Sequence, residues 1–204
     1  MLVTATDRDK VAAAIGAAEK ATSGEIVAVI ASASATYVSV APLVAALLAL
    51  LVPWPLIYFT WWPVQWIYLL QLAVFVVVAA ITYYRPVRLA LVPRSIKTDR
   101  AHKRAVEQFL AQNLYTTRGH TGVLIFISAA ERYAEIIADK SIYAKVPQDQ
   151  WQSLVDRLTS RIGDGEAADG LVEAITATGA LLATHFPPGS SNPDELPNHL
   201  IVID

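Results

Sequence analysis

The sequence predicts an α/β protein: one small domain with a mixed sheet, interrupted by a two-helix transmembrane hairpin. Three observations carry that expectation. No Asp, Glu, Lys or Arg occurs between Glu25 and Arg85. Two short apolar runs rich in β-branched residues, 25–31 and 122–128, flank that stretch. Around both runs, apolar residues recur at helical spacing.

The 204 residues suffice for one domain of ordinary size plus a membrane segment. Hydrophobic residues make up 54% and charged residues only 17%, a surplus concentrated in the charge-free stretch. A net charge of −2, with no basic patch interleaved with aromatics, points away from nucleic acid. The lack of cysteine excludes disulfides, thiolate metal sites and a cysteine nucleophile. Residues 1–24 carry Asp7, Asp9 and Glu19 and no continuous apolar core. They do not read as a secretory signal, and the N-terminus is expected on the cytoplasmic face.

Thr6 is the expected cap of the first helix, with Asp9 three residues on and Val11, Ala14, Ile15 and Ala18 sharing a face. Ser23-Gly24 stops it, and a buried strand follows over 25–31. The spans 38–60 and 64–84 each approach the roughly 20 residues needed to cross the hydrocarbon. Trp61-Trp62-Pro63 joins them, and Trp54, Tyr58, Trp66 and Tyr68 crowd the same end, as rings do at a lipid–water interface. Pro53 and Pro55 remove backbone donors late in the first span, which predicts a kink. Ala45, Ala46 and Ala49 offer a small-residue surface for self-association.

Beyond the hairpin come Arg85, Arg88, Arg94, Lys97, Arg100, Lys103 and Arg104, opposed only by Asp99. A bare turn at one end and this cationic run at the other predict that both hairpin ends are cytoplasmic. The same seven side chains are expected to contact anionic lipid headgroups.

Thr98 or Asp99 should open a helix that buries Ala105, Val106, Phe109, Leu110 and Leu114 and ends near Asn113. The run 122–128 reads as a strand covered on both faces, with 132–138 as its hairpin partner. Pro147 starts a helix with Trp151, Leu154, Val155, Leu158 and Ile162 at helical spacing, ended by Gly163. Asp164 is expected to cap the next, whose stripe is Leu171, Ile175, Thr178 and Leu182. A Pro-rich linker then leads to 199–204, an edge strand or docked tail. The expected organisation is therefore 1–36 and 85–186 as two parts of one domain, 37–84 as the hairpin, and 187–204 as linker and tail.

Strand, crossover helix and strand imply parallel pairing of 25–31 with 122–128. Because the first strand runs straight into the hairpin, the C-terminal edge of the sheet, where ligands usually bind, is expected to face the bilayer.

Reactive chemistry is sparse. No nucleotide-binding glycine loop, zinc-ligand spacing or serine-hydrolase elbow occurs. His102, His120, His185 and His199 are far apart and read as structural or surface residues. Asp139, Asp164, Glu166 and Asp169 could give oxygen ligands to Ca or Mg, without the spacing of an EF-hand; cap and turn roles explain Asp164 and Asp139 more simply. Arg118 and Asp139 should meet at the membrane-distal end of the sheet as a candidate polar site, or as an ordinary surface ion pair.

The runs Gly122-Val-Leu-Ile-Phe-Ile-Ser128, Glu131-Arg-Tyr-Ala-Glu-Ile-Ile-Ala-Asp139 and Gly163-Asp-Gly-Glu-Ala-Ala-Asp-Gly-Leu171, with Ser23-Gly24-Glu25-Ile-Val-Ala-Val before them, resemble the TPM-domain family. The resemblance implies a compact α/β/α sandwich, and weak acid-phosphatase activity and calcium binding have been attributed to some members. A hairpin inside the domain rather than after it, and no export signal in 1–24, depart from the usual family plan. The expectation that follows is a non-catalytic interaction or accessory domain integral to the inner membrane, its globular part cytoplasmic. It would assist assembly or maintenance of another membrane protein. Its partners would be the bilayer and a protein or second copy, with no cofactor beyond Ca or Mg. The alternative is a weak metal-dependent phosphatase built on carboxylates near Asp139.

Overall fold

A computed structural model of the chain describes residues 3–117, 119–189 and 195–203. It divides into two compact units, 1–34 with 98–204, and 35–97.

The first unit is built on a four-stranded sheet ordered β3-β2-β1-β4, with β1 Glu25–Ala31, β2 Gly122–Ser128, β3 Tyr133–Ala138 and β4 Leu200–Ile203. β1 pairs in parallel with β2, Glu25 opposite Gly122, and in parallel with β4, Ala28 opposite Leu200. β3 closes an antiparallel hairpin on β2. Every residue of β1 and β2 is buried, as expected of strands covered on both faces. The tail thus supplies an edge strand. Arg132, expected within β3, instead precedes it with φ 51°, in the left-handed turn that reverses the chain.

Alternation along each strand sends side chains to two cores. Ile26, Ala28, Ile30, Val123, Ile125 and Ile127 face α1 (Ala5–Glu19), α8 (Gln148–Gly163) and α9 (Ala167–His185). Val27, Val29, Leu124 and Phe126 face the C-terminal half of α6 (Arg94–Ala111), through Ala105 and Phe109, and Leu114 beyond it. The result is the α/β/α sandwich. α1 and α9 approach closely enough that a Cβ on Gly179 would lie 2.6 Å from the Cβ of Ala18.

Several local expectations shift. α1 is capped by Thr4, not Thr6: Asp7 N–H donates to Thr4 Oγ1 at 3.2 Å and Thr4 N–H to Asp7 Oδ2 at 2.9 Å, a complete capping box. α6 opens at Arg94, directly after Pro93, rather than at Thr98 or Asp99. Its buried face is Ala101, Ala105, Gln108 and Phe109, leaving Val106 and Leu110 exposed. Asp164 is the C-cap of α8 and not the N-cap of α9; that position falls to Glu166, whose side chain makes no cap bond.

The second unit contains α2 (Val40–Leu51), α3 (Pro53–Phe59), α4 (Val64–Tyr83) and α5 (Arg85–Leu91), so it runs past the expected boundary at 84. The span 38–60 is two helices, meeting at Val52, whose N–H donates to Ala49 at 3.3 Å, one residue tighter than an α-helical bond. Pro53 and Pro55 account for the break. The spans Val40–Phe59 and Val64–Tyr83 are each long and apolar enough to cross a membrane. α2 and α4 pair through Ala41, Ala45 and Ala49 on one side and Ile67 and Thr82 on the other, all buried. Thr82 Oγ1 returns its proton to Val78 O at 2.7 Å, the usual resort of a hydroxyl in an apolar helix. Ala45, one of the three alanines expected to serve self-association, is fully buried within the hairpin.

Candidate functional site

At the C-terminal edge of the parallel strands, Ser128 ends β2 and Ser34 follows β1. Ser128 donates from Oγ to Glu131 Oε2 at 2.5 Å, so the 2.7 Å contact between the two hydroxyls makes Ser34 the donor to Ser128. Glu131 also accepts the Ser34 N–H, 3.1 Å from each oxygen. Ala129 N–H to Ala31 O at 3.0 Å and Ala130 N–H to Ser32 O at 3.2 Å complete the knot. A hydroxyl–hydroxyl–carboxylate chain could in principle move a proton, but here the carboxylate is spent on a backbone donor and Ser128 is fully buried. The arrangement holds two loops together where an open α/β sheet usually binds ligand. Sequence reading missed it because Ser34 and Glu131 are 97 residues apart.

At the opposite edge, Asp139 caps the short helix α7 (Lys140–Tyr143), accepting the Lys140 N–H at 2.6 Å. Its other oxygen meets His120 Nδ1 at 3.1 Å, with His120 half exposed. Arg118, the expected partner, lies outside the described residues. The β2–β3 register, which puts Val123 opposite Ala138, is the signal that could have placed His120 near Asp139.

A third polar group lies on the α6 side of β3. His102 Nδ1 is 2.9 Å from Glu135 Oε1, and Tyr133 donates to Glu135 Oε2 at 3.0 Å. Burial, and then the Glu135 carboxylate, push the Tyr133 phenol well above its ordinary range, so it remains a donor. Burial likewise raises the nearby Tyr143 phenol.

The four expected metal-ligating carboxylates do not converge. Asp139 pairs with His120, Glu166 forms an ion pair with Arg161 at 2.5 Å, and Asp164 and Asp169 sit at different helix ends. Among the described residues no group of three His, Asp or Glu could hold a metal ion. In the basic run, Lys103 pairs with Asp99 at 2.9 Å and Arg104 with Glu107 at 3.1 Å along α6. Lys97 Nζ donates to Leu89 O at 3.1 Å and so closes the end of α5, while Arg94 and Arg100 make no ion pair among the described residues.

The class these features define is a mixed-sheet α/β domain interrupted after its first strand by a pair of apolar helices. The TPM domain family model matches residues 83–181, and this stretch of the chain is a TPM domain. The matched stretch lacks β1 and β4, which the structure supplies from the two ends of the chain to the same sheet. Among solved structures, the NMR structure of BA42 protein from the psychrophilic bacterium Bizionia argentinensis matches with a TM-score of 0.62 at 22% identity, covering 98% of this chain and 94% of that one. That likeness concerns the fold. No curated protein matches.

Proposed function

We propose that the chain is a TPM domain anchored in the bilayer by its 40–83 hairpin, acting as a non-catalytic accessory module for another membrane protein. The observation that carries the anchor is where the apolar side chains point. Only 17% of the first span and 6% of the second is buried, with Leu43, Leu47, Leu51, Val76, Val77 and Ile81 all more than half exposed. A core helix of a water-soluble domain would be mostly buried. An apolar surface of this extent needs lipid or protein against it.

On this reading the domain is cytoplasmic, and Arg85, Arg88, Arg94, Lys97, Arg100, Lys103 and Arg104 bias the hairpin ends toward the anionic inner leaflet. The accessory role is supported by the site chemistry. The polar groups at both sheet edges and on the face of β3 are engaged with one another, and no metal-binding carboxylate set is assembled among the described residues. The competing reading, a metal-dependent phosphatase near Asp139, requires such a set.

The test is to express the full chain with a reporter fused after Asp204, extract membranes with alkaline carbonate, and identify what co-purifies in mild detergent. Retention in the pellet, a reporter signal of cytoplasmic type and a stoichiometric membrane-protein partner are expected. Recovery in the supernatant would remove the anchor. Phosphomonoester hydrolysis that requires Ca or Mg and is lost in Asp139→Asn would replace the accessory role.

A further inference from the structure

Along one side of the α2–α4 pair runs a groove of about 460 Å³, lined by Ala46, Ala49 and Leu50 from α2 and by Tyr68, Gln71, Leu72 and Phe75 from α4. The α4 residues fall at i, i+3, i+4 and i+7, so they form a single stripe. Ala46 and Ala49 leave the opposite wall low, which lets another helix approach closely. Apart from the Tyr68 phenol near the turn end, the groove holds one polar group, the primary amide of Gln71. Gln71 is only partly exposed and makes no hydrogen bond among the described residues. It stands about 10 Å along α4 from Val64 at a rise of roughly 1.5 Å per residue, well inside the span.

We infer that this groove is a homodimer interface in the bilayer, where the α4 stripes of two copies face each other across a two-fold axis and Gln71 of each donates to and accepts from the other. The inference rests on the membrane reading above. An amide carries both a donor and an acceptor, so it is complementary to itself, and a two-fold axis brings each residue near its own copy. A lipid chain could fill the groove by shape but would leave the amide unsatisfied in hydrocarbon. The tyrosine and phenylalanine of the stripe supply the large side chains that the low Ala46–Ala49 wall of the partner copy accommodates.

The absence of cysteine gives a clean background for cross-linking. The full chain carrying Leu72→Cys, in the groove, or Val77→Cys, on the far side of α4, is reconstituted in phosphatidylcholine–phosphatidylglycerol vesicles at low protein density and oxidised. Leu72→Cys should form a covalent dimer and Val77→Cys should not. Adding Gln71→Leu, which keeps the span apolar, should weaken dimerisation roughly three- to thirtyfold, and Gln71→Asn should retain part of it. Equal cross-linking at both positions, a monomer at both, or an unchanged dimer in Gln71→Leu overturns the interface; the monomer result assigns the groove to lipid. A chain that leaves the vesicles in alkaline carbonate overturns the membrane reading, and this interface with it. A chain that stays but does not cross-link overturns the interface alone.

Discussion

Strands β1 and β2 and helices α2 and α4 are comparably apolar, yet they treat their side chains in opposite ways. In the strands every residue is buried, because helices cover one face and α6 the other. In the helices the buried positions are mainly alanines on one side, and the leucines, valines and tryptophans point outward. Apolar composition alone therefore does not say where a side chain goes. The strands belong to a unit whose polar helix faces can meet water, whereas among the described residues nothing polar covers the hairpin; on the proposed membrane reading its helices would gain from hydrocarbon what the strands gain from burial in the domain.

Substitutions can break this contrast. The largest expected effect is in the sheet: Phe126→Ala removes a fully buried ring from between β2 and α6 and should destabilise the domain by about 3–5 kcal/mol, read by chemical denaturation in detergent. Next is Leu47→Lys, at a position 56% exposed near the middle of the first span. In lipid it should cost about 2.5–3.5 kcal/mol of insertion free energy. If water bathed that face, the change would stay within about 0.5 kcal/mol, and an insertion assay separates the two. Gly122→Ala follows, since its Cβ would run into the carbonyl of Leu114; a loss of about 1–3 kcal/mol is expected by the same denaturation assay.

The smallest effect is Thr4→Ala, which opens the capping box of α1 for about 1 kcal/mol. It has a pH signature. The Thr4 backbone N–H, then the Thr4 hydroxyl, hold the Asp7 carboxyl below its usual value near 3.8. A depressed carboxyl stabilises the fold above its unfolded pKa, and the contribution is lost as pH falls through the folded value. Thermal melts should show the difference between Thr4→Ala and the parent shrinking below about pH 4; a constant difference down to pH 2 would remove Asp7 from the cap.

Much of this was readable in advance, for identifiable reasons. Ile26–Ile30 and Val123–Ile127 announce strands because β-branched residues between turn signals have few other homes. The stripe Leu171, Ile175, Thr178 and Leu182 proved wholly buried. The misplaced cap reflects two overlapping patterns of equal spacing, Thr4 with Asp7 and Thr6 with Asp9, between which local sequence cannot choose. α6 begins at Arg94, ahead of the hydroxyl and carboxylate of Thr98 and Asp99, with Pro93 accepting the Lys97 N–H through its carbonyl at 3.2 Å. The polar clusters were hidden most deeply: Ser34 with Glu131, and His102 with Glu135, meet only through tertiary structure. Of the four candidate carboxylates, Asp139 caps α7, Asp164 ends α8, and Glu166 and Asp169 stand at the start of α9, with Glu166 held in an ion pair by Arg161.

Tryptophan fluorescence bears most directly on the central claim that the hairpin lies in lipid. Trp54, Trp61, Trp62 and Trp66 sit at its turn end and are exposed, and Trp151 is 2% exposed in the domain core. In vesicles whose acyl chains are brominated near the headgroup, most of the emission should be quenched, leaving the shielded signal of Trp151. Emission unchanged from that in unbrominated vesicles would contradict the account.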